Sequence, residues 1–277
     1  MDEDREIRDE NDISLLNTKY FTEKTCDLLN LKYSREVNTS MFTTNTSLDE
    51  LPHYIVSHDI NFDSKTLRSL LTRTDIKDVE TVFYELLMIL KKPHKQNKVT
   101  SFMFPMIAKC LSGYVVGQQK DIPITVWTQN GPHIIGNRPD YSLIKRNKVL
   151  LNIKLKSVDK TESMDNSKLQ LFCQCIGSAQ HNWRQINDKL LFNKLFGTQL
   201  GLLVISNTFH FFVLQITDQY IEELTTGPTL SQQISYNCYD NNGHGFDFFL
   251  YKDRMKVLSA LSAIQSHHRN CSLTTNH

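Results

Sequence analysis

The sequence predicts an α/β fold, a mixed central β-sheet flanked by helices, and three observations carry that expectation. Apolar residues recur at three and four through DIKDVETVFYELLMILKK (75–92), then give way to short alternating segments between Ile124 and Lys156. A second helical stripe starts near Lys168, and two further apolar segments follow at Leu200–Ser206 and His210–Ile216. Helix, three strands, helix, two strands is an order that packs as one sheet between helices. With 277 residues, 40% hydrophobic and 22% charged, the chain is long enough and apolar enough to bury such a core.

Residues 1–12 carry seven acids against Arg5 and Arg8 and read as an acidic disordered tail. Residues 13–63 read as a helical extension and linker: 13–35 have apolar residues for one or two short helices, and Thr, Ser and Asn dominate 38–49. The α/β domain is expected from residue 64 to 277, with its core at 79–216. Its first helix places Ile76, Val79, Val82, Phe83, Leu86, Leu87 and Leu90 on one stripe, ends in Lys91 and Lys92, and stops at Pro93. A second helix is expected over Thr100–Val116. Ile124–Gln129, Asp140–Ile144 and Val149–Lys156 then read as a three-stranded meander, separated by the turn signals Asn130-Gly131-Pro132, Gly136-Asn137 and Arg146-Asn147-Lys148. Leu169, Phe172, Cys173, Ile176 and Ala179 mark the next helix, and Asn207-Thr208 joins the last two strands as a hairpin. Beyond residue 218 a helical or loop-rich end is expected, closing in a helix over Met255–Ile264.

Charge and cysteine content narrow the function classes. Thirty-one basic residues against 30 acidic leave a net charge of +1, which excludes a globally basic nucleic-acid binder but not a local patch. No apolar run approaches membrane-spanning length, and acids open the chain where a secretory leader needs basic residues. The expectation is therefore no membrane span and an intracellular protein, cytoplasmic or nuclear. Six cysteines are too sparse for a disulfide framework. Cys173 and Cys175 lie about 200° apart around a helix, so they read as buried thiols rather than metal ligands. His210-Phe211-Phe212 reads as core, and Gly243-His244-Gly245 as a flexible turn.

One stretch points to chemistry. Alternation along Val149–Lys156 puts Asn152, Lys154 and Lys156 on one face and Leu151, Ile153 and Leu155 on the other, toward the core. A strand beginning at Asp140 brings a carboxylate within reach of the polar row. A carboxylate that can hold a hard cation, next to ammonium groups that neutralise charge on phosphate, is a phosphate-handling combination. Arg138, Lys145, Arg146, Lys148, Lys154, Lys156 and Lys160 face only Asp140 and Asp159 in this segment, and the loop at 91–98 adds four lysines. Such clustering favours a phosphate backbone as partner.

Arg138-Pro139-Asp140 followed by a Lys-bearing strand, with a helix before and a Gln-containing helix after, resembles the PD-(D/E)xK, or restriction-endonuclease-like, nuclease superfamily over about 79–216. The resemblance implies Mg²⁺-dependent hydrolysis of a nucleic-acid phosphodiester, DNA foremost, with Asp140 and Glu85 as metal ligands, Glu80 being the alternative acid on the same helix. It implies Lys156 as the lysine that assists water attack, with Gln170 and Gln174 supporting the site. Arg138, Lys145, Arg146, Lys148 and Lys160 would contact nucleic acid. The chain departs from the pattern at one place: the residue two before Lys156 is Lys154, and making Lys154 the catalytic lysine puts Asn152 in the acid position. Either Glu85 or Glu162 supplies the second carboxylate, or the domain binds nucleic acid or a protein partner without cutting.

Overall fold

In the computed structural model, the described residues are 29–43, 115–118, 122–128, 131–135, 139–156, 164–227, 229–240, 243–248 and 250–273. They form a mixed α/β structure with helices about a central mixed sheet. The strands are β1 (Leu31–Tyr33), β2 (Val115–Gln118), β3 (Ile124–Thr128), β4 (Gly131–Ile135), β5 (Tyr141–Lys145), β6 (Lys148–Lys156), β7 (Thr198–Ile205), β8 (Thr208–Gln215), β9 (Ile234–Tyr239) and β10 (Phe246–Asp247). The helices are α1 (Met164–Trp183), α2 (Lys189–Phe196), α3 (Asp218–Thr226) and α4 (Tyr251–Leu273), with a short 3₁₀ turn at Ser40–Phe42. The main sheet runs β1-β9-β8-β7-β6-β5-β2, with β10 on β8, while β3 and β4 pair separately. The β6–β7 and β1–β9 pairs are parallel and the other neighbours antiparallel.

Helix α1 makes the parallel pair possible, because two parallel neighbours need a crossover between them. It lies on one face of the sheet, and Leu169, Leu171, Phe172, Cys175, Ile176 and Ala179 join Leu203, Phe212 and Leu214 in a single core. Gly201 on β7 sets the approach distance: a Cβ there would stand 3.0 Å from two Leu171 carbons and 3.3 Å from Cys175 Sγ. A second apolar layer holds Phe209, Phe211, Phe246 and Phe248 together with Val257, Leu258 and Leu261 of α4. Phe42 is sealed into it, stacked on Tyr239 with ring centroids 5.4 Å apart.

Side-chain amides of α1 substitute for missing strand partners. Asn182 accepts from the Val149 N–H at 2.9 Å and donates to the Val149 carbonyl at 2.7 Å. Gln180 does the same for Thr125, at 2.8 and 2.6 Å, and so ties the β3–β4 hairpin to the core helix. The β5–β6 ladder shifts register between Leu143 and Ile144, where two β5 residues face three of β6, a bulge at Leu150. The hairpin turns through Arg146 (φ 47°) and Asn147 (φ 62°), two consecutive left-handed residues of the kind a tight type I′ connection requires.

The sequence expectation needs correction in five places. Val115 and Val116, expected at the end of a helix, belong to strand β2, and with β5 and β6 this strand completes the meander. The strand expected at Ile124–Gln129 is instead half of the separate β3–β4 hairpin, because Gly131-Pro132, read as turn, is itself the start of β4. Leu31–Tyr33 is a strand paired to β9 rather than a short helix, so part of the expected extension belongs to the sheet. The β7–β8 turn falls at Ser206-Asn207, one residue earlier than expected, with Ser206 at φ 55°. Finally, Ile234–Tyr239 is a sheet strand within a region expected to be helix or loop. The helix expected over 75–92 lies outside the described residues, as does the expected acidic tail.

Candidate functional site

Asp140 sits just before β5, and the register Tyr141↔Ile153 brings it alongside Lys154 of β6. Its Oδ2 accepts the Leu155 N–H at 2.9 Å and lies 3.4 Å from Lys154 Nζ. Carboxylate and ammonium are therefore together, as expected. The pair is partly open, with the side chains 18% and 31% exposed for Lys154 and Asp140, so it stabilises by no more than about 1 kcal/mol. Its consequence is electrostatic: a cation already faces the Asp140 carboxylate. Lys156, on the same face of β6, is buried.

The polar row of β6 does not act as one unit. Asn152, expected in line with the lysines on one strand face, is wholly buried under α1. Its Oδ1 accepts from Ser142 Oγ at 3.2 Å and Ser178 Oγ at 3.0 Å, and its Nδ2 points to Cys175 Sγ at 3.8 Å. That thiol in turn donates toward the Leu200 carbonyl at 3.6 Å, and burial pushes it up to about 12. Asn152 is thus a core polar clasp linking β5, β6 and α1. Gln170 and Gln174 of α1 are buried, and Gln174 Oε1 has no hydrogen-bond partner among the described residues.

The basic residues divide between two places. Lys145, Arg146 and Lys148 surround the β5–β6 turn, where Asn147 O is met by His181 Nε2 at 3.0 Å. At about 3.3 Å of rise per residue, six residues of β6 put Lys154 about 20 Å from Lys148. The basic turn and the Asp140–Lys154 pair thus occupy opposite ends of the strand. Partial burial lowers the Lys148 ammonium from its ordinary value. Glu85, Glu162, Arg138 and Lys160 lie outside the described residues.

A second cluster escaped sequence reasoning. His210 of β8, Cys238 of β9 and Asp240 just beyond β9 present ligand atoms that all lie within 4.8 Å of one another, and among the described residues no other group of three or more His, Cys, Asp or Glu does so. Cys238 Sγ donates to Asp240 Oδ2 at 3.0 Å, His210 Nδ1 is 3.5 Å from the same oxygen, and the Gly243 N–H donates to Oδ1 at 2.8 Å. His210, with help from Cys238 and the Gly243 N–H, holds the Asp240 carboxyl at about 2. Burial, then the neighbouring carboxylate, pushes the Cys238 thiol up. The cluster adjoins a cavity of about 810 Å³ lined by Tyr33, Arg35, Lys168, Tyr236, Cys238 and Asp240, among others. The signal available in sequence was the alternation Ile234-Ser-Tyr-Asn-Cys-Tyr239, which reads as a strand with Cys238 and Asp240 on one face.

Compared with protein-family models and with curated proteins, the chain matches none. Among the described residues, no helix is long and apolar enough to cross a membrane.

Proposed function

We propose that this chain is a nuclease-like module of the PD-(D/E)xK type that binds the phosphate backbone of nucleic acid, DNA foremost, without cutting it. The connection order supports the kinship: an antiparallel β2-β5-β6 meander, helix α1, and β7 parallel to β6, with Asp140 opening the second strand and Lys156 ending the third. The observation that carries the loss of cutting is the Lys154–Asp140 pair.

Mg²⁺ takes oxygen ligands in a tight octahedral shell, usually anchored by carboxylates. Here Oδ2 of Asp140 already accepts the Leu155 N–H and faces an ammonium, which repels a divalent ion. Asp140 belongs to no group of three or more candidate ligands among the described residues. Among the described residues the donors around Asp140 do not fit Mg²⁺. Binding instead uses the basic turn Lys145-Arg146-Asn147-Lys148, which the two left-handed residues and the His181 contact hold in one conformation. A preorganised cationic tip loses little entropy on meeting phosphates.

The test is fluorescence polarisation with a labelled DNA duplex, with Mg²⁺ and with EDTA, between about 50 and 200 mM salt. Binding that is indifferent to EDTA, falls with salt, and weakens on the order of tenfold in a Lys145→Glu/Arg146→Glu variant supports the proposal. Mg²⁺-dependent cleavage of plasmid that Asp140→Ala abolishes would overturn it, and so would failure to bind either DNA or RNA.

A further inference from the structure

We propose that His210, Cys238 and Asp240 form a binding site for a borderline divalent transition metal, Zn²⁺ foremost, whose fourth ligand comes from the adjoining cavity. The register builds the site. Cys238 and Asp240 are two residues apart at the end of β9 and so share a face, while the antiparallel pair Phe211↔Tyr239 brings His210 of β8 beside Asp240.

The spacing is that of a metal shell. Bonds of about 2.0–2.3 Å from Zn²⁺ to O, N and S in a tetrahedron place the ligand atoms about 3.3–3.6 Å from one another. The sulfur–oxygen and nitrogen–oxygen separations are 3.0 and 3.5 Å, and the third separation is within 4.8 Å. Closing the shell therefore needs shifts of a few tenths of an ångström to about one, within the reach of side-chain rotation.

The ligands are also held by surroundings that a simple hydrogen-bonded trio does not need. The Gly243 N–H takes Asp240 Oδ1 and turns Oδ2 toward His210 and Cys238. Gly245, at φ +73°, lies against the imidazole so closely that a Cβ would stand 2.6 Å from both Cε1 and Nε2. The Cε1–Nε2 edge of the ring is thus covered, while Nδ1 faces Asp240 Oδ2 at 3.5 Å. Cys238 and Asp240 open onto the cavity of about 810 Å³, which leaves room for water or an anion in the fourth position; Arg35, Lys168 and Asp165 are among the lining residues, with Lys168 Nζ 3.6 Å from Asp165 Oδ1. Three protein ligands with one open position is the arrangement of zinc sites that exchange a ligand. A sulfur–nitrogen–oxygen donor set selects Zn²⁺ over Mg²⁺. On binding, Cys238 coordinates as thiolate and its proton leaves to solvent, while His210 binds as the neutral tautomer with its proton on Nε2 and Nδ1 free for the metal.

The experiment uses the full chain, freed of metal by chelator and titrated with ZnCl₂ by calorimetry, and with CoCl₂ by absorption, where a thiolate-to-cobalt charge-transfer band reports Cys238 directly. Expected is one equivalent of Zn²⁺, an affinity weakened on the order of 100-fold by Cys238→Ser and by Asp240→Asn, and no change in His244→Ala, an exposed histidine of the same loop. Circular dichroism checks that each variant folds, and Asp240→Asn stands in if Cys238→Ser does not. Absence of saturable uptake by the parent chain overturns the site. So does uptake that folded Cys238→Ser and Asp240→Asn retain in full, which would place the metal elsewhere.

Discussion

Replacing Asn152 by alanine tests whether the polar row of β6 is divided between core and site. Asn152 Oδ1 is the shared acceptor of Ser142 Oγ and Ser178 Oγ, and all three residues are fully buried. Asn152→Ala removes the acceptor and leaves two hydroxyls in a dry interior. Each unsatisfied buried hydroxyl costs about 1–3 kcal/mol, and the volume of the lost amide adds a cavity term. Ser178 can recover part by turning back to the carbonyl one helical turn earlier, so the expected loss is about 2–5 kcal/mol. Total stability for a domain is about 5–15 kcal/mol, so the change is visible in a urea titration. Lys154→Ala is the companion measurement and should move stability by no more than about 1 kcal/mol, because its ion pair is partly solvated. A loss below about 1 kcal/mol for Asn152→Ala, or equal losses for both variants, would refute the division.

The α1–β7 contact, the Asp240 carboxylate and the buried Cys175 thiol each give a measurable outcome. Gly201→Ala inserts a methyl 3.0 Å from Leu171 and should destabilise by about 1–3 kcal/mol in the same urea assay; an unchanged midpoint would mean that α1 does not sit on β7. Asp240, depressed from 3.8 to about 2 mainly by His210, contributes stability that is present above about pH 4 and lost as pH falls toward 2. In metal-free protein the stability gap between the parent and Asp240→Asn should therefore close over that interval, and a gap independent of pH contradicts the contact. Cys175, wholly buried and raised to about 12, should resist iodoacetamide at pH 8 until the chain unfolds, as read by peptide mass spectrometry; labelling at the rate of a free thiol would show an open core.

The strands that sequence patterning located best are those buried on one or both faces and bounded by strong turn residues. Val149–Lys156, Leu200–Ser206 and His210–Ile216 fall within a residue or two of β6, β7 and β8. Where the expectation failed, short-range patterning did not decide which segments pair. Ile124–Gln129 is a strand, yet its neighbour is the segment just after it, and the place beside β5 is taken by Val115–Gln118. Leu31–Tyr33 is too short for a period to show, and its partner lies some 200 residues away in β9. Asn182 and Gln180, whose amides complete the pairing of Val149 and Thr125, look like ordinary polar helix residues until the sheet is in place.

The site was half legible for the same reason. Asp140 and Lys154 could be brought together from one hairpin and its alternation, and they do meet. Alternation assigns a face, however, not the depth of what covers it. Asn152 shares a face with Lys154, but Cys175 and Ser178 of α1 cover the first while the second stays partly exposed. His210 shows the converse failure. In sequence it is one residue of an apolar run, and it is indeed 3% exposed. Its neighbours Cys238 and Asp240 arrive from β9, an element that short-range patterning passed over. A buried histidine facing a carboxylate and a thiol is costly unless hydrogen bonds or a metal ion compensate it, because desolvating an unpaired polar group is unfavourable. The hydrogen bonds are present at 3.0 and 3.5 Å, and a bound ion would take over the same three atoms. The two states therefore compete for the same three atoms. Zn²⁺ affinity measured against pH separates them, since occupancy by metal expels the Cys238 proton and occupancy by hydrogen bonds retains it.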